Sequence, residues 1–345
     1  MALPKHILVI RLSAMGDVAM TVPVLRAFTT QYPEVRITVL SRKFFKPLFL
    51  ELPNVSFWEA DVTGKHKGFF GLQRLAKTLN AQDFDAVADL HFVLRSRMIS
   101  FYLKLFGKRV CSLDKGRGEK KLLTQSKGGI LNPLKSTHER YADVFRKLGF
   151  DLSLESPSFP KRKSLAPKLL TFVGKTPKKL IGIAPFAAYK SKMYPLELMQ
   201  EVLKELNERG KHQVLLFGGG AEETLQLERW DSMYDHVTSV ANRLSFEEEL
   251  SLISNLDIML SMDSGNGHLA ANFGIPVLTL WGVTHPYLGF QPFAQPFGNQ
   301  VLSNREEFPL IPTSVYGNTY PEGYENVMKT IPPSEVISKI EQLLA

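Results

Sequence analysis

Asp17 closes the short run Ser13–Ala14–Met15–Gly16–Asp17, which follows the apolar, β-branched stretch His6–Arg11. An acid at such a strand-to-helix turn has two possible uses. It can cap the helix and complement its dipole, or it can act as a general base at the mouth of a cleft. A second run, Asp263–Ser264–Gly265–Asn266–Gly267–His268, follows the strand-like stretch Asp257–Met262. Its small residues allow close approach of the backbone to a ligand, and the helix after it starts with free N–H groups that suit an anion. Ser264 adds a hydroxyl donor and His268 an imidazole; glycines in a plain turn are the alternative. Lys190 and Lys192 stand in the loop Pro185–Pro195, where an ammonium can neutralise a phosphate leaving group or lie solvated. After Gly218–Gly219–Gly220 come Glu222 and Glu223, either of which can take ribose hydroxyls or serve as a helix-start carboxylate.

Other chemistries are excluded by spacing. Gly218 and Gly220 miss the dinucleotide fingerprint because its third glycine position is Glu223. Gly265, Gly267 and Ala270 fit a looser form of it, but no acid follows until Glu306, where one is expected about 20 residues on. Gly174–Lys175–Thr176 lacks the upstream glycine of a P-loop, and neither an H-E-x-x-H nor a G-x-S-x-G motif occurs. The single cysteine, Cys111, excludes an intrachain disulfide and a multi-cysteine zinc site, and fits a reducing compartment.

The 345 residues suffice for two domains, with an ordinary share of charged and apolar side chains. The net charge of +8 is concentrated: Arg95 to Lys147 holds 14 Lys or Arg against four acids. Such a band is either a solvated face or the footprint of an anionic partner: phosphorylated lipid, nucleic acid or acidic sugar. Nucleic acid is disfavoured, because the band carries neither an RNP-like aromatic motif nor a basic helix-turn-helix pattern. Phe101, Tyr102 and Phe106 lie within it at spacings that predict a buried helix face. The apolar runs are strand-sized, far short of the ~20 residues of a membrane span. The N-terminus, with Arg11 directly after its short apolar run, is not expected to be a signal peptide.

These groups must be held by an alternation of strands and helices, which predicts α/β domains with parallel sheets. Strands are expected at His6–Arg11, Val35–Leu40, Ala86–Leu90, Leu180–Ala184, Gln213–Phe217, Asp257–Met262 and Pro276–Trp281. Helices are expected at Asp17–Tyr32, Pro195–Arg209 with Gly210 as C-cap, Ser245–Ser254 with a Ser245/Glu248 capping box, and Pro333–Leu344. A Ser-, Pro- and Lys-rich stretch, Ser156–Lys179, reads as a linker. The expected organisation is a domain at 1–160, a linker at 161–178, a second domain at 179–330 and a closing helix at 331–345. In open α/β sheets ligands bind at the carboxyl ends of the strands, where Asp17, Lys192, Glu222/Glu223 and Asp263–His268 all fall.

RLSAMGDVAMTVPVLRAF (residues 11–28) and SMDSGNGHLAANFGIPVLTLWGVTHP (residues 261–286) resemble glycosyltransferase family 9, the ADP-heptose:lipopolysaccharide heptosyltransferases. DLHFVLRS (89–96), STHERY (136–141), the K-x-[WY]-P run Lys192–Pro195 and the helix after IPPSEV (331–336) are similar to that family and fall in its order. The resemblance implies a GT-B fold, two doubly wound Rossmann-like domains facing across a cleft, with acceptor on the first and donor on the second. It implies inverting transfer of heptose from ADP-heptose to a lipopolysaccharide inner-core acceptor. The ADP-sugar is then a substrate, with no cofactor and no tightly bound metal.

By the same resemblance Asp17 is the base, and Lys192, Glu222 or Glu223, Asp263, Ser264, Gly265, Gly267 and His268 bind the donor. Ser13, Met15, Gly16, Arg95, Arg97, Lys120 and Lys121 are expected at the acceptor, with Lys104, Lys108 and Arg109 as further candidates for acceptor or membrane contact. The implied location is cytoplasmic, peripheral at the inner membrane and held there by charge, with no nucleic-acid partner. Departures from the family pattern are His285 in Thr284–His285–Pro286, Ser264 in place of threonine, and no cysteine at 300–330. The alternative reading is another GT-B glycosyltransferase or a sugar-nucleotide epimerase with a different donor.

Overall fold

A computed structural model describes residues 2–126, 128–174 and 178–345. Lys127 of the basic band and Lys175–Pro177 of the expected linker lie outside the described residues. The chain divides into two compact units, Met1–Lys115 with Lys135–Ser158, and Gly116–Leu134 with Phe159–Ala345.

The first unit contains β1 (His6–Ile10), α1 (Met15–Ala19), α2 (Thr21–Gln31), β2 (Arg36–Ser41), β3 (Val55–Glu59), α3 (Gly68–Asn80), β4 (Ala86–Asp89), α4 (Leu94–Leu105) and β5 (Arg109–Ser112). The chain then leaves this unit for α5 (Arg117–Leu123) and returns for α6 (Thr137–Lys147). The five strands form a parallel sheet in the order β3-β2-β1-β4-β5, with His6 opposite Arg36 and Ile7 opposite Ala86. Leu8, Ile10, Leu40 and Val87 pack on α3 and α4 through Leu72, Leu75, Ile99 and Leu103. Alternate strand residues face the other way. On α2 and α6, the Phe28 and Phe145 rings meet at a tilt, 4.7 Å between centroids.

The helix expected at Asp17–Tyr32 is two helices meeting at Met20. Pro23 is the reason: in one continuous helix it would owe a hydrogen bond to the Ala19 carbonyl that it cannot donate. Placed in the first turn of α2, it owes none. The expectation of a buried face for Phe101 and Phe106 is also corrected. Ile99 and Leu103 face the core, whereas Phe101 is 57% and Phe106 40% exposed.

The second unit continues with α7 (Pro167–Val173), β6 (Lys179–Ala184), α8 (Leu196–Arg209), β7 (His212–Leu216), α9 (Ala221–Met233), β8 (Val237–Ser239), α10 (Phe246–Ile253), β9 (Ile258–Met262), α11 (Gly265–Ala271), β10 (Val277–Trp281), β11 (Gln300–Leu302) and α12 (Pro333–Leu344). Its parallel sheet runs β11-β10-β9-β6-β7-β8. Ile181, Ile183, Leu260 and Leu278 form a core with Val202 and Leu206 of α8 and Val336 and Ile340 of α12. The stops read from sequence are present: Gly210 ends α8 at φ 61°, and Ser245 and Glu248 form the reciprocal cap of α10.

Two segments differ from their expected roles. The linker stretch contains α7 and is tied to the second unit, with Arg162 3.2 Å from Asp257 and Lys168 3.0 Å from Glu248. Residues 116–134, expected within the first domain, pack on the second unit instead. Leu123, Leu131 and Leu134 cluster with Tyr287, Leu288 and Phe290. The Leu134 amide donates to the Tyr287 carbonyl at 2.9 Å, and Arg305 donates to the Gly129 carbonyl at 3.0 Å.

Candidate functional site

In the first sheet the chain runs β1, β2, β3 to one side and then crosses to β4 on the other side of β1. The carboxyl ends of β1 and β4 therefore flank the switch point, where an open sheet leaves a crevice. The loop after β1 carries Ser13, Met15, Gly16 and Asp17, all partly exposed, and the Ser13–Ala14 peptide is cis. Asp17 is ion-paired through Oδ2 with Nη2 of the buried Arg11. Arg11 is fixed in turn: its Nη1 donates to the Leu90 carbonyl at 2.8 Å and its guanidinium lies 5.8 Å from the Tyr141 ring. The Tyr141 hydroxyl donates to the Asp17 carbonyl at 3.3 Å, so α6 also holds this turn. Arg11 Nε is buried without a hydrogen-bond partner among the described residues.

After β4, the buried Asp89 carboxylate accepts from the His91 and Phe92 amides at 3.0 and 2.9 Å, and burial pushes its pKa up. His91 Nδ1 accepts from the Leu12 amide at 3.4 Å. Burial, with Arg11, Lys115, Arg95 and Arg42 around it, pulls the imidazole down to about 3. The crevice is thus lined by cations around a neutral histidine. Arg42 is anchored by its Nε on the Leu12 carbonyl at 3.1 Å. Sequence reasoning missed Arg11, Arg42 and His91. The signal for Arg11 was its place as the first residue of the RLSAMGD motif.

Of the other expected acceptor residues, Arg95 and Arg97 are exposed in the first turn of α4, Arg97 lying 5.2 Å from the Phe92 ring. Lys104 is exposed, and Arg109 donates to the Lys147 carbonyl at 2.9 Å. Lys120 and Lys121 are on α5 and so belong to the second unit. Lys121 is exposed, but Lys120 is buried against Phe290, so the expectation of an accessible lysine at 120 is corrected. His138 and Arg140 of STHERY are buried in α6, which Ser136 caps by accepting from the Glu139 amide at 3.1 Å.

The second sheet has its switch point between β6 and β9. The loops beyond those two strands carry the two sharpest sequence signals, and they meet there. Lys192 Nζ lies 2.9 Å from Asp263 Oδ2, both side chains largely buried. Thr284, beyond β10, donates to the same oxygen at 3.0 Å. The lysine stem is confined by Gly317, whose φ is +78° and where an added Cβ would fall 2.5 Å from Lys192 Cδ. Ser264 Oγ and Asn266 Oδ1 are buried without a partner among the described residues. Gly265 opens α11, and His268 is buried within it. A Cβ at Gly267 would stand 2.6 Å from Ser261 Oγ, so glycine there serves the packing of α11 on β9.

The two acids after β7 separate. Glu223 folds back to accept from the Gly219 amide at 2.8 Å, whereas Glu222 is exposed. His285 is buried, and its Nδ1 accepts from the Tyr287 amide at 3.2 Å to cap the turn Pro286–Leu288. Burial and Arg305 lower its pKa to about 4, leaving the neutral imidazole that an acceptor must be. Among the described residues no three His, Cys, Asp or Glu side chains are grouped to hold a metal ion, and no helix is long and apolar enough to cross a membrane.

The sequence profile of glycosyltransferase family 9 (heptosyltransferase) matches residues 72–321. A lipooligosaccharide heptosyltransferase 2 from Haemophilus influenzae is 25% identical over 369 residues, covering 99% of each chain. Among solved structures, a glycosyl transferase family 9 protein from Veillonella parvula superposes with a TM-score of 0.75 at 20% identity, over 100% of this chain and 98% of that one. An ADP-heptose lps heptosyltransferase II from Escherichia coli gives 0.69 at 20% identity, over 98% of each. The fold is that of these proteins, two Rossmann-like units of the GT-B class.

Proposed function

Because the chain belongs to glycosyltransferase family 9, we propose that it moves heptose from ADP-heptose to an inner-core sugar of lipopolysaccharide, with inversion at the anomeric carbon. It is a glycosyltransferase; the donor, the stereochemistry and the residue roles are our reading. The name of the Haemophilus influenzae relative supports heptose and a lipooligosaccharide, and that of the Escherichia coli neighbour supports ADP-heptose and lipopolysaccharide.

The observation that carries the donor site is the Lys192–Asp263–Thr284 arrangement at the second switch point. Asp263 is an anion and only accepts hydrogen bonds, so beside a diphosphate it acts by holding Lys192 and Thr284. The ammonium keeps further N–H groups for the phosphate oxygens. The unpartnered Ser264 hydroxyl, with its loop 263–268, supplies another donor. One such preorganised group is typically worth about 3–4 kcal/mol in the transition state. Glu222 takes the ribose hydroxyls, since Glu223 is occupied by its own turn.

On the first unit Asp17 removes the proton of the acceptor hydroxyl. That oxygen bonds to the anomeric carbon from the face opposite the diphosphate. The bond from that carbon to the diphosphate breaks with its electron pair, and ADP leaves. General base catalysis of this kind contributes about 10²–10⁴-fold. Arg11 orients Asp17. Arg42, Arg95 and Lys115, gathered around His91, bind the negative charge of a phosphorylated or carboxylated acceptor. An acceptor of this kind is lipid-linked, which places the enzyme at a membrane surface.

Calorimetry with ADP, ADP-heptose, UDP-N-acetylglucosamine and GDP-mannose tests the donor. Selective binding of ADP and ADP-heptose is expected, and preference for UDP or GDP would overturn it. Asp17→Asn is expected to abolish transfer and leave donor binding intact, and Lys192→Ala to weaken both. Near-normal turnover by the asparagine variant would remove Asp17 from its role.

A further inference from the structure

The outer side of the α3–α4 pair carries Lys104 and Lys108 of the basic band, and its chemistry is unlike that of an ordinary solvated face. At the start of α3, Phe69 and Phe70 are 54% and 74% exposed. Phe69 continues into α4 through Tyr102, at 6.0 Å between ring centroids, and Tyr102 meets Phe101 at 5.8 Å. Leu105 and Phe106 extend the patch along the same helix, with Leu105 65% exposed. Helix α4 therefore carries two apolar faces. One, with Ile99 and Leu103, is spent on the core. The other is left in water, and its aromatic side chains form a continuous patch rather than isolated residues.

The charges around the patch are predominantly positive, with the Asp61 carboxylate at its border held by the Gly64 and Lys65 amides. Residues 62–82 and 90–113, which contain both helices, include nine Lys or Arg and no Asp or Glu. Lys65 and Lys67 flank Phe69 and Phe70, while Lys104 and Lys108 flank Leu105 and Phe106; three of the four are exposed and Lys108 half-exposed. Apolar rings bordered by lysines match the boundary between anionic headgroups and acyl chains. We propose that the α3–α4 face is a membrane-docking surface, which seats Phe69, Phe70, Phe101, Leu105 and Phe106 at the headgroup level of an anionic leaflet while the surrounding lysines engage lipid phosphates.

This deepens the proposed function and rests on it only in that a lipid-linked acceptor gives docking a purpose; the surface itself is testable without acceptor or donor. The full chain would be sedimented with vesicles of phosphatidylethanolamine and phosphatidylglycerol, and with vesicles of phosphatidylcholine alone. Binding to the anionic vesicles is expected, weakened at least tenfold by Phe69→Ser/Phe70→Ser and by Lys104→Glu/Lys108→Glu. Both variants should keep full ADP binding, which shows that they fold. A Phe70→Trp variant should shift its emission to the blue on anionic vesicles and be quenched by brominated lipid. Unchanged vesicle binding by the phenylalanine-to-serine variant would overturn the proposal, as would indole emission from the Phe70→Trp variant that does not respond to lipid. So would a dimer of the wild-type chain that the same substitutions dissociate, since the patch would then be a contact between copies. Failure of the donor panel would count against the proposed function and leave this surface standing.

Discussion

Lys120 Nζ lies 3.8 Å from the centroid of the Phe290 ring, in a lysine that is only 5% exposed. Its charge is thus spent inside the second unit. Lys120→Met is expected to lower stability by about 1–2 kcal/mol, the range of a desolvated cation–π contact. Vesicle binding by the folded variant should be unchanged. Urea unfolding and vesicle sedimentation check the two outcomes, and weakened sedimentation would return Lys120 to the surface role.

Arg11 spans two partners, the Asp17 carboxylate and the Leu90 carbonyl. Lysine has one nitrogen on a flexible stem and cannot reproduce the planar fork. Arg11→Lys should lower kcat by about tenfold or more and leave the donor dissociation constant unchanged. A rise in donor dissociation constant would show that Arg11 acts elsewhere.

Gly317 offers a way to disturb Lys192 without altering charge. Alanine there must adopt a φ of +78° and press on the lysine stem at 2.5 Å. Gly317→Ala should weaken ADP binding about tenfold, corresponding to about 1.4 kcal/mol. Calorimetry reads this directly. Unchanged affinity would mean that the position of the ammonium does not matter for the diphosphate.

His91 and His285, lowered from 6.5 to about 3 and about 4, contribute to the pH dependence of stability. The unfolded chain takes up these protons below pH 6.5 and the folded chain does not. Their contribution is therefore flat above pH 6.5 and becomes destabilising as pH falls, by about 2 kcal/mol each at pH 5, at 1.36 kcal/mol per pH unit. Glu249 works in the opposite direction. Burial raises its carboxyl to about 7, so the fold loses stability as pH rises from 4.5 toward 7. The test is therefore differential. His285→Asn, which keeps a cap acceptor, should lose less stability between pH 7.5 and pH 5 than the wild type in urea titrations. An equal loss would contradict the assignment.

The sequence made the central strands and capped helices legible because their signals are local. The buried runs of β1, β6, β9 and β10, Gly210 and the Ser245/Glu248 pair all act within a few residues. Edge strands β3, β5, β8 and β11 escaped because three to five residues carry little periodicity. At the candidate site, Asp17, Lys192 and Asp263 were visible by type and position after strands. Arg11 and Thr284 were not, because their roles depend on partners 6 and 21 residues away that only the folded turn and the sheet bring within reach. The solvent-facing side of α4 was misread for a related reason. A helical period shows that residues share a face, and says nothing of whether another layer covers it.

The chain passes between the two units three times, at residues 115/116, 134/135 and 158/159. The halves are consequently not interchangeable cassettes. A second unit excised at residue 159 would lose its covering of Leu123 and Leu131 and expose Tyr287, Leu288 and Phe290. A chimera that exchanges first units between related enzymes must leave residues 116–134 with the recipient's second unit. Grafting the first unit therefore takes two inserted pieces, and a single-junction hybrid should be insoluble for want of one short segment.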